Sequence, residues 1–234
     1  MDDLDGYWLQ SVLAELSAVR SSLVLDFFLS RLEYSSNNSD RSYRVCYMRP
    51  YHAVELRLKD APDAESSMAR LLNWMGEHAG NVLLQSEAGE MFVSLFGAFD
   101  DRVIAMLSEQ FITPSPDRLR IVIAIVAHAD RTFVFAQRSI VISMLEIAAT
   151  LSRELADEAI SALYRSAISG VSGGIPGQPS SADLYLKQEA EKVLAEIPRF
   201  SIAYRLYDGL RRHAEQSADI ARAMHGTLFD DEEE

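Results

Sequence analysis

Apolar residues in this chain recur at steps of three and four almost from end to end. That period gathers them on one face of an α-helix. A strand, whose side chains alternate every residue, would scatter them. The first stripe, Leu9, Val12, Leu16, Val19, Leu23 and Phe27, marks a long helix over about residues 6–34. Met68, Leu71, Leu72 and Met75 mark the next, which ends near Gly76–Gly80, and Met91, Phe92, Leu95, Phe96 and Phe99 mark a third. Asp100 is placed to cap a helix carrying Val103, Ile104, Leu107 and Phe111. Ser115 is placed to cap another, with Pro116 at the first helical position, where no amide is needed. That helix, about 116–128, is apolar on nearly all sides from Ile121 to Ala127, the pattern of a helix at the centre of a domain. Helices over about 136–150, 153–168 (capped by Ser152), 182–196 and 201–224 complete a set of about nine.

Three stretches break the pattern. Ser35–Ser42 is small and polar, which favours turns. In residues 43–60, Tyr43, Val45 and Tyr47 alternate with Arg44 and Cys46, and Pro50 follows. This reads as a short strand or extended crossing segment, with a helix from Tyr51 to Leu58 as the alternative. Gly170–Ser181 holds four of the eleven glycines and two of the seven prolines. A phosphate loop would end in lysine followed by serine or threonine, but Gln178, Pro179, Ser180 and Ser181 follow Gly177, so the stretch reads as a flexible connector. The organisation expected is a first helix with its crossing segment over 1–60, a helical-repeat-like region over 61–228 and an acidic, disordered tail over 229–234.

From Ala64 the helices group as pairs spaced about 35–45 residues apart, the length of a helix-pair repeat. One pair cannot bury its own stripe, so pairs must stack. Ser115-Pro-Asp-Arg-Leu-Arg-Ile-Val-Ile-Ala124 has the turn, arginine and apolar face that open a second repeat helix, and Lys187-Gln-Glu-Ala-Glu-Lys-Val-Leu-Ala-Glu-Ile197 has the form of such a helix's end. On these residues, the stretch 64–197 resembles the HEAT and armadillo family of helical repeats. The resemblance implies an all-α fold of stacked antiparallel helix pairs, an α-solenoid whose curved surface binds another macromolecule. It implies no catalytic residues. A compact orthogonal bundle of the same helices is the alternative.

The chain carries 35 acidic against 22 basic residues, a formal charge of −13, which disfavours a nucleic-acid or anionic-membrane partner. Nineteen of the basic residues are arginine, a usage associated with GC-rich bacterial genomes. Met1 is followed by Asp-Asp-Leu-Asp, so no signal peptide is expected. The longest apolar run, Ile121–Ala127, falls well short of the roughly 20 residues of a membrane span, and a cytoplasmic protein is expected. Cys46 is the one cysteine and can form no internal disulfide.

The sequence offers no catalytic, cofactor-binding or metal-binding set. His52, His78, His128, His213 and His225 form no metal-ligand spacing. Glu77-His78 and His128-Ala-Asp130 fall at helix ends, where histidine suits the negative end of the dipole. Asp100-Asp101 lacks the third carboxylate of a diphosphate-binding motif, and no serine lies in a Gly-x-Ser-x-Gly elbow. The one constellation left is Arg199, Tyr204, Arg205, Tyr207, Arg211 and Arg212, a basic stretch in an acidic chain, built from residue types enriched at interface hot spots. It is expected to contact an acidic surface on another protein. The bland alternative is a solvated face paired with Asp208, Glu215 or the acidic tail. The expected role is thus a non-catalytic scaffold, adaptor or regulatory subunit. An all-α enzyme with a helical pocket for a phosphorylated small molecule is the rival, and a helical-repeat nucleic-acid binder is a third possibility that the charge disfavours.

Overall fold

A computed structural model describes residues 7–37, 56, 58–97, 99–169 and 178–229. The segment 43–55 with Cys46 and His52, the glycine loop 170–177 and the acidic residues 230–234 lie outside the described residues, as does the side chain of His225. All regular structure among the described residues is helical, and no described helix is long and apolar enough to cross a membrane.

The chain forms two compact units, Met1–His128 and Ala129–Glu234, a division that falls inside the stretch 61–228 read as continuous from sequence. The first unit holds α1 (Tyr7–Val19), α2 (Ser21–Asn37), a 3-10 turn (Leu58–Asp60), α3 (Ala64–Glu77), α4 (Val82–Phe96), α5 (Asp101–Glu109) and α6 (Pro116–Val126). The second holds α7 (Phe133–Ala136), α8 (Arg138–Leu151), α9 (Arg153–Ile168), α10 (Ser181–Glu196) and α11 (Ile202–Phe229). These are eleven α-helices among the described residues, two more than the periodicity predicts. The first helix is split in two, and α7 adds a single turn.

The split is made by a tertiary contact. The Arg20 amide still donates to Leu16, but the Leu23 amide reaches back only three residues, to the Arg20 carbonyl at 3.2 Å. The amides of Ser21 and Ser22 leave the ladder and donate instead to Asp63, at 3.0 Å to each carboxylate oxygen. The Ser21 hydroxyl adds a third bond at 2.7 Å and also meets Ser67. A carboxylate distant in sequence therefore caps α2, where the partial positive charge of the helix end favours it. Burial alone would raise the Asp63 carboxyl, but the bonds from Ser21 and Ser22 outweigh it and hold the group far below the usual carboxylate range. The break also changes which residues face inward. Leu13, Ser17, Ser21, Val24, Leu25, Phe28 and Leu32 are buried, while Val12, Leu16, Val19 and Leu23 of the first apolar stripe are exposed.

Helix α6 is the centre of the first unit. Leu119, Ile121, Val122, Ile123, Ile125 and Val126 are all buried, as its all-round apolar character requires. Ser115 caps it at 3.3 Å to the Arg118 amide with Pro116 behind, and Asp100 caps α5 through Arg102 and Val103. The sequence grouped α6 with α5, but α6 packs chiefly on α4 and α3. Its contact with α4 is unusually close. A Cβ placed at Gly89 would lie 2.2 Å from the Ala124 carbonyl oxygen, so only glycine fits without parting the helices. Helix α4 starts earlier than the stripe from Met91 suggests. Asn81 caps it through the Leu84 amide at 3.1 Å, and its first turn carries the exposed Val82 and Leu83, which belong to no buried stripe.

In the second unit α10 and α11 run antiparallel, and α11 also packs on α8 and α9. Ser152 caps α9 through the Leu155 amide at 3.1 Å. Ala203, Leu206, Tyr207, Leu210 and Ala214 form the buried face of α11.

Two outcomes follow from these contacts. Gly89→Ala is expected to lower the unfolding free energy by about 1–3 kcal/mol in urea titration, because overpacking against backbone outweighs the helix propensity that alanine gains. A midpoint at or above the parent's would show that α4 and α6 separate freely. Asp63→Asn is expected to destabilise the protein near neutral pH by about 0.5–2 kcal/mol, because the amide nitrogen that replaces one carboxylate oxygen can no longer accept from the Ser21 or Ser22 amide. The depressed carboxyl stabilises the fold above its unfolded pKa of about 4, and that contribution is lost as pH falls through the folded value. The Asn variant should therefore show a flatter stability profile than the parent below about pH 4.

Candidate functional site

The turn between α10 and α11 spans residues 197–201. The Ser201 amide donates to the Pro198 carbonyl at 3.0 Å, and the Ser201 hydroxyl accepts from the Tyr204 amide at 3.2 Å, which starts α11. This tight, doubly bonded turn holds Arg199 and Phe200 out into solvent. Phe200 is 103% exposed, as open as in an extended chain. With Ile202 and Arg205, and with Glu146, Ala149 and Thr150 near the end of α8, they line an open groove of about 660 Å³.

The six residues expected at an interface divide into three groups. Arg199 is exposed and makes no ion pair with any described residue. Arg205, Arg211 and Arg212 are already paired. Arg205 holds Asp157 of α9 at 2.9 Å. Arg211 bonds Asp208 at 2.7 Å and Glu215 at 2.8 Å, while Arg212 takes the second oxygen of Asp208 at 2.8 Å. Lys187 of α10 closes the network on Glu215 at 3.1 Å. The bond to Asp208 leads in raising the Arg211 pKa, and the bond from Lys187 leads in lowering that of Glu215, each against a smaller opposing effect of burial. The pairing with Asp208 and Glu215 that was the bland alternative is therefore what α11 contains.

Tyr204 is half-buried, and Tyr207 requires a correction. It offers no contact area to a partner, because it is 0% exposed and its hydroxyl donates to the buried Val134 carbonyl at 2.7 Å. Its ring lies 5.9 Å from that of Phe135. Burial pushes the phenol pKa up, with the charge of Arg138 offsetting a part. The spacing of Ala203, Tyr207, Leu210 and Ala214 already puts residue 207 on the apolar face. The residue that the sequence reading passed over is Phe200. Its signal was position: a large aromatic between Pro198-Arg199 and the Ser201 cap belongs to neither helix's stripe.

Several other polar clusters have structural roles, and the open cleft of about 460 Å³ bordered by Asp26, Glu33, Arg70, Asn73 and Glu77 holds the Arg70–Asp26 ion pair. His78 ends α3, with Nδ1 2.8 Å from the Trp74 carbonyl, and its ring stacks on Trp74 at 4.0 Å. Only acceptors are available at that carbonyl, so Nδ1 carries the proton. Asp130 binds the amide and hydroxyl of Thr132, and His128 lies 3.4 Å from the Ser86 hydroxyl. Arg131, Asp183, Tyr185, His213 and Ser217 border a pocket of about 90 Å³, too small for a metabolite in a site of ordinary size. Within it one oxygen of Asp183 accepts from Ser180 at 2.7 Å and from Ser217 at 2.8 Å, tying the start of α10 to α11. Among the described residues no three His, Cys, Asp or Glu side chains are grouped to hold a metal ion. No family model, curated protein or solved structure matches the chain.

Tyr207→Phe is expected to cost about 1–3 kcal/mol, because the buried Val134 carbonyl loses its donor. Arg212→Ala should leave the unfolding midpoint close to the parent's, since exposed ion pairs contribute little. Equal effects of the two substitutions would contradict this division between core and surface.

Proposed function

We propose that the protein is a non-catalytic interaction module, an adaptor or regulatory subunit, that engages another protein at the α10–α11 turn. The observation that carries the reading is Phe200. A fully exposed phenylalanine on a turn held by two hydrogen bonds gains about 1.5–3 kcal/mol when a partner buries it. Arg199 beside it is a fork for carboxylates with no ion partner among the described residues. Arginine and aromatic side chains in this combination are what binding hot spots are made of. The partner segment that fits is acidic and presents an apolar cleft for the phenyl ring. Stacked helix pairs of the HEAT and armadillo kind would suit this role; the consecutive pairs α8–α9 and α10–α11 support that arrangement, whereas α6 packs on α4 and α3 instead of on α5.

The test compares affinity capture by the parent and by a Phe200→Ala, Arg199→Glu double variant, read by mass spectrometry. A protein retained by the parent and lost by the variant is the expected result. Its affinity for the purified variant should be weaker by at least about thirtyfold, the loss that marks a hot spot. Identical partners and affinities would place the interaction elsewhere.

A further inference from the structure

We infer that the acidic run Asp230–Glu234 of one copy docks in the groove beside the α10–α11 turn of a second copy, so that the protein associates with itself. The inference rests on the reading of that turn as a binding surface and adds what occupies it when no other protein does. The groove measures about 660 Å³, and Ala149, Phe200 and Ile202 give it apolar walls. Arg199 and Arg205 line it from the turn and the first turn of α11. Arg199 makes no ion pair with any described residue. Arg205 holds Asp157 at 2.9 Å, yet its side chain is 55% exposed. Glu146, from α8, is the one carboxylate among the lining residues, so an acidic segment lies along the two arginines and away from α8.

Charge selects the occupant. Residues 230–234 read Asp-Asp-Glu-Glu-Glu, the longest uninterrupted run of acidic residues in the chain, and Leu228 and Phe229 precede them. An apolar pair followed by five carboxylates complements an apolar groove edged by two arginines. Arginine takes a carboxylate through two parallel hydrogen bonds, so Arg199 and Arg205 fix where the run lies as well as attracting it.

Reach selects the copy. Helix α11 starts at the groove and runs for 28 residues to Phe229, a length of about 42 Å. Five residues beyond it span at most about 18 Å when fully extended. The run therefore cannot return to the groove of its own copy, and a second copy must supply it. The contact joins two different surfaces, so it closes into a ring where the rotation between copies permits and otherwise builds a chain. A contact this small, carried by exposed charges, is weak and screened by salt.

Sedimentation of the full chain from about 10 µM to 1 mM tests this, a range that brackets weak association. At about 50 mM salt the mean mass is expected to rise above 26.1 kDa with concentration, and at about 500 mM salt to stay there. Two variants with the parent's helicity by circular dichroism should each remain at 26.1 kDa. One neutralises the run: Asp230→Asn, Asp231→Asn, Glu232→Gln, Glu233→Gln and Glu234→Gln. The other reverses the groove: Arg199→Glu and Arg205→Glu. Mixed in equal amounts they should form a complex of two chains, because the first keeps its groove and the second its run. That pairing belongs only to a run of one copy in the groove of another. Arg199→Glu alone breaks no described ion pair and should weaken association roughly threefold or more. A neutral-run variant that associates as the parent does, or a mixture that stays at 26.1 kDa, overturns the inference. A parent that holds another protein through Phe200 and Arg199 yet stays monomeric overturns it too, and leaves the reading of the turn standing. Pairing of the mixed variants with no other protein captured supports the inference and removes the separate partner.

Discussion

From Ile121 onward helix α6 has almost no polar side, and covering that part is the constraint around which the first unit is organised. A helix of this kind needs neighbours on several faces. The neighbour that comes closest does so by giving up a side chain. At Gly89 the α4 backbone rests directly on the Ala124 carbonyl. Two helices packed through ordinary side chains stay about 8–10 Å apart, and a glycine at the crossing lets them come closer. The apolar residues on either side, Met91, Phe92, Leu95 and Phe96 on α4 and Met68, Leu71 and Met75 on α3, then close the space around α6.

Electrostatics in the second unit separates surface that is neutralised from surface that is free. Asp208 serves two arginines, and Glu215 serves an arginine and a lysine, so the middle of α11 carries little field beyond its own surface. The basic character evident when the residues are read in a line is cancelled in space by acids three and four positions away, the spacing at which helix side chains meet. Arg199 escapes this because it precedes α11 and makes no ion pair with a described residue, and the acid three positions before it, Glu196, is held by Arg138 at 2.6 Å. The turn, rather than the helix, is thus the distinctive surface of this corner.

Much of the fold was legible in the residues. The caps at Asp100, Ser115 and Ser152, the buried α6 and the helices of the second unit follow from local chemistry: a small oxygen-bearing side chain before an apolar run, and a run with no wet face. What was not legible depends on tertiary contacts. The break at Arg20 needs Asp63, which is far away in sequence. The pairing of α6 with α4 needs Gly89, which in sequence is only a weak helix former. For the candidate site, four arginines were readable, but their state was not. Glu215 and Asp208 lay in plain sight at helical spacing, whereas Asp157 comes from another helix. Tyr207 was misassigned because its polar end was weighed above its place on the apolar face, and Phe200 was passed over because it fits no period.

The Asp63 cap has a bearing on motion. An ordinary cap lies in the chain just before its helix and is lost when that segment frays. Here the residues before α2 belong to α1, while the cap comes from the start of α3. The ladder between the helices is already interrupted at Arg20, so α1 can unwind without removing the bonds that hold Ser21 and Ser22. Local opening then stops at Arg20 instead of running on into α2. The amides of α1 are therefore expected to exchange with solvent as one cooperative segment and those of α2 as another, divided at a single residue by a carboxylate that belongs to neither helix.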